Sequence, residues 1–292
     1  NKFIIMIYKF TEQGHLYTED EAPIKSVTTI IKSFGEDFDT TYWAYYKTLE
    51  AFLTPEVFKA QKPAKVPELA WIKEMMAIHP DHPWELLIAD YIHEKNTYSD
   101  ITSKEGTSNH SVKEQQVIDQ GFMRNPFTLK MMSWKARAIK ENGVKTSLVS
   151  NLADLSDGVY TEQMLWYEGL YMGTTDLVFI ESIAGTRYFD ILDYKRASNI
   201  EKDNRFENMK YPVQNLANSK YNRYSLQLSL YAKCLIEAGF KVRGLALSHS
   251  NKLTPCDYMA SEVTRIVDYL REGPQSQEPS FDGLDIEQLQ LE

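Results

Sequence analysis

The first residues alternate, with Phe3, Ile5 and Ile7 against Ile4, Met6 and Tyr8, and then reach Glu12, Gln13 and Gly14. A period of two closed by turn residues predicts a strand and its turn. From Asp39 to about His93 the period changes. Tyr42, Tyr45, Tyr46, Leu49 and Phe52 recur at three- and four-residue steps, and Pro55, Pro63, Pro67, Pro80 and Pro83 cut the run into segments, so a helical flank is expected. A polar stretch over 95–106 separates this flank from a helix predicted over 108–120. A second helix is predicted over 125–141, stopped by Asn142-Gly143.

Strand-like sequence follows. Segments 160–167, 170–180 and 187–195 are rich in Tyr, Leu, Val, Ile and Phe and are separated by Glu168-Gly169 and Ala184-Gly185, which predicts an antiparallel meander. A polar, basic connection leads to a helix predicted over 221–238 and ended by Gly239, then a strand over 241–249 and a last helix over 258–271. That order implies an α/β (α+β) fold, a mixed central sheet with an antiparallel meander flanked by helices. The expected division is 1–105 as N-terminal strand and helical flank, 106–272 as core and 273–292 as an acidic tail.

Composition narrows the classes. With 292 residues, 43% of them hydrophobic, the chain can bury a large core, so any metal must be justified by chemistry and not by stability. Two cysteines, Cys234 and Cys256, cannot form a four-thiolate zinc or iron-sulfur site and point to a reducing interior. No apolar run approaches the roughly 20 residues that span a bilayer, and the start is too short in apolar residues for a secretory signal. A soluble, intracellular protein without a membrane partner is expected. The net charge of −9 argues against indiscriminate polyanion binding, but between 195 and 223 seven bases stand against three acids. The stretch 275–292 carries five acids and no base, and its part from Ser280 to Glu292 offers a docking segment for a protein partner.

Chemistry concentrates around Asp176, Asp193 and Lys195. If the hairpin turns at Ala184-Gly185, residues whose numbers sum to about 369 face each other, which sets Asp176 against Asp193 at roughly 5 Å between α-carbons. Opposed carboxylates repel, so they need a shared proton or a cation, and a divalent ion is the simpler solution. Asp193 and Lys195 project from one face and Tyr194 from the other. Oxygen ligands suit Mg²⁺ or Mn²⁺; such an ion polarises a phosphodiester and acidifies a bound water, and Lys195 orients that water or stabilises charge on the phosphorus. With 23 lysines and 41 acids, chance alone gives about three acid-x-Lys triplets, and the chain has one.

These residues resemble the PD-(D/E)XK nuclease superfamily, in particular its RecB-like exonuclease branch, which includes lambda-type, mitochondrial genome-maintenance and many phage enzymes. Gly173-Thr174-Thr175-Asp176 is similar to the branch's glycine-x-x-aspartate strand, and Ile191-Leu192-Asp193-Tyr194-Lys195 to its catalytic strand, with Asp193 where Glu stands elsewhere. Tyr221 to Tyr231 resembles its glutamine-x-x-x-tyrosine helix, with Gln227 as glutamine. The same spacing recurs at Gln13/Tyr17 and Gln163/Tyr167, so its place on a helix gives it value. Segment 106–114 resembles the helix that brings a histidine to the metal, here His110 with Glu114 on the same face, and Glu162 matches a commonly acidic position. Segments 26–31 and 42–44 are similar to the start of phage members.

The resemblance implies a restriction-endonuclease-like core and a Mg²⁺- or Mn²⁺-dependent DNA exonuclease. In it Asp176, Asp193, Lys195 and Gln227 are catalytic, and His110, Glu114, Glu162, Asp176 and Asp193 hold metal. Arg196, Arg223, Tyr224 and Tyr231 would touch single- or double-stranded DNA from its end. The setting implied is replication, recombination or repair, in the bacterial cytoplasm if the chain is phage-encoded. A viral-type RNA endonuclease and a catalytically silent nucleic-acid-binding relative are the alternatives. The aromatic residues over 42–52 could stack bases, but their helical spacing favours a core. There is no GxxxxGK[ST], HExxH or GxSxG motif.

Overall fold

The computed structural model describes residues 7–12, 16–35, 39–63, 66–136, 138–197, 199–204, 207–250 and 252–273, without the side chains at 99–100, 102–107 and 109. Phe3, Ile4, Ile5, Met6, Gln13, Gly14, Arg205 and nearly all of the acidic 273–292 segment lie outside the described residues. Two compact units emerge, one of Asn1–Gly35 with Phe122–Glu292 and the other of Glu36–Gly121. In chain order the first unit begins with β1 (Tyr8–Thr11), β2 (Leu16–Glu19), β3 (Ala22–Ile24) and α1 (Val27–Ser33). The second contains α2 (Thr40–Leu53), α3 (Pro55–Gln61), α4 (Leu69–Ala77) and α5 (Trp84–Gln120). The first then resumes with β4 (Phe122–Arg124), β5 (Met131–Ser133), β6 (Ala138–Glu141), β7 (Val144–Ser147), β8 (Gly158–Tyr167), β9 (Tyr171–Ile183), β10 (Thr186–Tyr194), α6 (Lys220–Glu237), β11 (Lys241–His249), β12 (Lys252–Cys256) and α7 (Ala260–Glu272).

The helical unit forms as its aromatic spacing predicts. Asp39 caps α2 by accepting the Tyr42 N–H at 2.8 Å, Pro55 opens α3, and Ala44, Tyr46, Leu49, Phe58, Ile72, Met76 and Ile88 form the core. These rings are therefore largely packing groups. Helix α5 runs unbroken through the polar 95–106 stretch that was expected to interrupt it. That stretch contains no proline, and its one glycine, Gly106, weakens a helix without ending it; α5 stops where Gly121 takes φ 71°. The division at 105/106 drawn from sequence thus falls within one helix.

Among the described residues no helix lies over 125–141; β5 and β6 fall in that region, directly after β4. Asn142 and Gly143 adopt φ 50° and 76° and join β6 to β7 as a tight hairpin, the conformation that Asn-Gly favours between strands. Strands β6 and β7 complete a five-stranded antiparallel sheet in the order β3-β2-β1-β7-β6.

The second sheet has the order β12-β11-β10-β9-β8, so the fold is mixed α/β as expected. Strands β8, β9 and β10 form the antiparallel meander, and α6 carries the chain across to β11, which lies parallel to β10. Ala184 and Gly185 turn with φ 48° and 78°, and the register runs from Thr186↔Ile183 to Leu192↔Leu177. Val178, Ile180, Phe189 and Ile191 share a core with Leu226, Leu228, Leu230 and Leu235 of α6. Fully burying each such side chain contributes about 1.5–3 kcal/mol. Ser219 caps α6 through the Asn222 N–H at 3.2 Å. No helix among the described residues is long and apolar enough to cross a membrane.

Asp190 points to the sheet face opposite Asp193 and is completely buried. Its carboxylate accepts from Asn125 Nδ2 at 2.7 Å and from Arg243 Nε at 3.0 Å, and Arg243 also reaches Glu181 at 2.6 Å, which Lys130 meets at 2.7 Å. Hydrogen bonds from Lys130 and Arg243 hold Glu181 below its ordinary value of 4.5.

Two outcomes are expected from this network. Arg243→Ala leaves Asp190 buried without its cation and lowers unfolding free energy by about 3–5 kcal/mol in urea titration. Glu181 contributes stability above its unfolded value near 4.5 and loses it as pH falls through its lower folded value, so Glu181→Gln should flatten the acid limb of the stability profile. An unchanged acid limb in that variant would show that the carboxylate titrates alike in both states.

Candidate active site

Three acids come to one level on neighbouring strands. Glu162 of β8 lies between the pairs Thr161↔Leu177 and Gln163↔Thr175, which sets it across from Asp176 of β9. Asp193 of β10 lies one step beyond the last β9–β10 pair, Leu192↔Leu177. At that step the Asp176 carboxylate accepts the Tyr194 N–H at 2.6 Å, so a side chain takes over where the backbone ladder stops. Carboxylate oxygens of Glu162 and Asp176 lie within 4.8 Å of each other. Asp193 is buried, and Glu162 and Asp176 are half-buried.

Lys195 follows β10 and turns its ammonium onto this group. Its Nζ is 2.5 Å from Asp193 Oδ2, 3.5 Å from Gln227 Oε1 and 4.7 Å from the centre of the Tyr224 ring. Burial disfavours the charged form, but Asp193 first and then Asp176 outweigh it and raise the lysine above its ordinary value. The group is a cation at neutral pH. Burial, reinforced by Asp176, raises the Tyr194 phenol to about 12, so it remains neutral.

Helix α6 supplies the other wall. Tyr224, Gln227 and Tyr231 recur at three- and four-residue steps and share one stripe. Gln227 Nε2 donates to Tyr231 Oη at 3.2 Å, leaving its carbonyl oxygen toward Lys195. Tyr231, expected as a substrate contact, is 2% exposed and instead supports Gln227 from within the core. The other two matches to the glutamine-tyrosine spacing are not helical where described: Gln163 and Tyr167 lie in β8, Tyr17 lies in β2, and Gln13 is outside the described residues.

Arg196 is exposed just beyond Lys195, and Arg223 is half-buried, its Nε donating to Asn218 Oδ1 at 2.6 Å. Gly35 lets the Arg223 guanidinium pass where any β-carbon would collide with it. His110 and Glu114 are half-buried on α5, four residues apart, in the other unit. Sequence reasoning missed Lys145 of β7, whose Nζ lies 3.3 Å from the Glu162 carbonyl oxygen and 3.5 Å from Glu162 Oε2. It also missed Asn218. Neither carries a local signal, because each meets its partner only through folding.

The donor set fits a hard divalent ion: carboxylates from adjacent strands with a cation at their side, and no thiolate among them. The same groups can hold a phosphate against Lys195.

No protein-family model and no curated protein matches the chain. The solved structure of SSO0001 aligns over 81% of this chain and 87% of its own at 12% identity, with a TM-score of 0.24.

Gly173 tests the packing behind Gln227. A β-carbon there would lie 2.5 Å from Tyr231 Cε1 and 2.9 Å from its hydroxyl. Gly173→Ala should therefore cost about 1–3 kcal/mol in urea unfolding, and adding Tyr231→Leu should recover much of it. Equal losses in the single and double variants would locate the strain elsewhere.

Proposed function

We propose that the chain is a Mg²⁺- or Mn²⁺-dependent nuclease that hydrolyses phosphodiester bonds of DNA, built on a core of restriction-endonuclease type. The observation that carries this reading is the meeting of Asp176 and Asp193 around the Lys195 ammonium, with Glu162 beside Asp176. In this reading Asp176, Asp193 and Glu162 hold the ion, and His110 with Glu114 enters from the sequence resemblance. The ion, when bound, supplies a polarised phosphodiester and an acidified water.

Lys195 stays protonated, held by Asp193 and backed by Gln227, and it donates to a non-bridging phosphate oxygen or orients the attacking water. Water oxygen bonds to phosphorus as the bond to the leaving sugar oxygen breaks. Gln227, fixed by Tyr231, limits where the ammonium can swing. Tyr224, next to Lys195, offers a ring face to the strand, and Arg196 and Arg223 attract the backbone electrostatically.

End-labelled DNA and RNA oligonucleotides incubated with Mg²⁺, Mn²⁺ or EDTA test the reading. Metal-dependent cleavage of DNA is expected. Asp193→Asn should lose on the order of 10³-fold in cleavage while DNA binding persists, because several kcal/mol of transition-state stabilisation depend on it. Cleavage of RNA alone would move the assignment to a ribonuclease. Equal cleavage by parent and variant would defeat it, and metal-independent binding without cleavage would leave a silent relative.

A further inference from the structure

Glu162 has a backbone that its neighbours in the sheet do not share. It sits within β8 at φ 47°, a left-handed conformation that a glutamate adopts only when its surroundings impose it. The ladder to β9 remains in register on both sides, with Thr161↔Leu177 before and Gln163↔Thr175 after. The distortion is therefore confined to the residue facing Asp176.

One side chain grips this residue at two points. Lys145 Nζ reaches the Glu162 main-chain oxygen at 3.3 Å and its Oε2 at 3.5 Å, and the lysine side chain is only 13% exposed. Lys145 comes from the five-stranded antiparallel sheet of the same unit, where it pairs with Phe10 of β1 and Lys140 of β6. Holding a carbonyl and a carboxylate of the same residue fixes both the backbone twist and the direction of the side chain. That direction brings Glu162 within 4.8 Å of Asp176.

We propose that Lys145 is a positioning residue, whose ammonium holds Glu162 in its left-handed conformation so that the Glu162 and Asp176 carboxylates converge on one divalent cation. The inference rests on the reading of Asp176 and Glu162 as ion-holding groups. It also has a sign that separates it from simple electrostatics. A positive charge beside a cation site opposes the cation, so by charge alone, loss of Lys145 would tighten metal binding. By positioning, it weakens binding, since groups that orient metal ligands typically contribute 10–100-fold in affinity.

Calorimetric titration of the full chain with Mn²⁺ tests this, using the parent, Lys145→Met, Lys145→Arg and Asp176→Asn. Lys145→Met should bind Mn²⁺ about tenfold more weakly, and Lys145→Arg, which can also span both oxygens, should stay near the parent. Unchanged or tighter binding by Lys145→Met, with binding lost in Asp176→Asn, overturns the role of Lys145 and spares the metal reading. Parental binding by Asp176→Asn overturns the metal reading itself. A second comparison serves if Lys145→Met alone fails to fold. Glu162→Gly accepts the left-handed backbone without help, so adding Lys145→Met to it should not weaken Mn²⁺ binding further. A further loss of affinity in that double variant would also overturn the proposal.

Discussion

The turn at Ala184-Gly185 governs the placement of charge in this protein. Once those residues take positive φ, the pairing of β9 with β10 is determined down to Leu192↔Leu177, and Asp176 and Asp193 must arrive at the same end of the hairpin. A slip of one residue would turn every side chain of β10 to the other face, moving Asp193 into the apolar packing opposite and Asp190 toward α6. The Asp176 carboxylate reinforces the register from the far end by accepting the Tyr194 N–H.

Strand β10 then carries two buried aspartates with opposite fates. Asp190 is closed off by Arg243 and Asn125, with donors on both of its oxygens, and such a network ties the β4–β5 connection and β11 to β10. Asp193 faces Lys195, which is also influenced by Asp176, so two carboxylates act on a single ammonium. The first arrangement is balanced by its own fork of donors. The second has more acid than base at close range, which is the condition under which a divalent cation is favoured.

Support for the candidate site comes from residues that would not touch a substrate. Gly173 leaves room for the Tyr231 ring, Tyr231 orients Gln227, and Gln227 faces Lys195. Lys145 reaches in from the sheet of β1 and β7 to Glu162, whose backbone is left-handed inside strand β8. The rigid sheet and its crossover helix thus set the positions of the polar groups, and the surrounding shell narrows their orientations.

Local signals were enough for the meander, its register, helix α6 and the common level of Asp176, Asp193 and Lys195, because alternation, a two-residue turn and i,i+4 spacing each act over a few residues. They failed at Asn142-Gly143, where a hairpin signal was read as a helix stop, and in α5, where polarity alone was read as a break. Tyr231 looked available on its helical stripe, but burial is a property of what packs against the stripe. The Lys145–Glu162 contact and the Asp190–Arg243 network join residues from different strands and sheets, with no fixed spacing to mark them. Only the tertiary fold decided those, because side chains distant in the chain acquire partners only when the backbone brings their elements together.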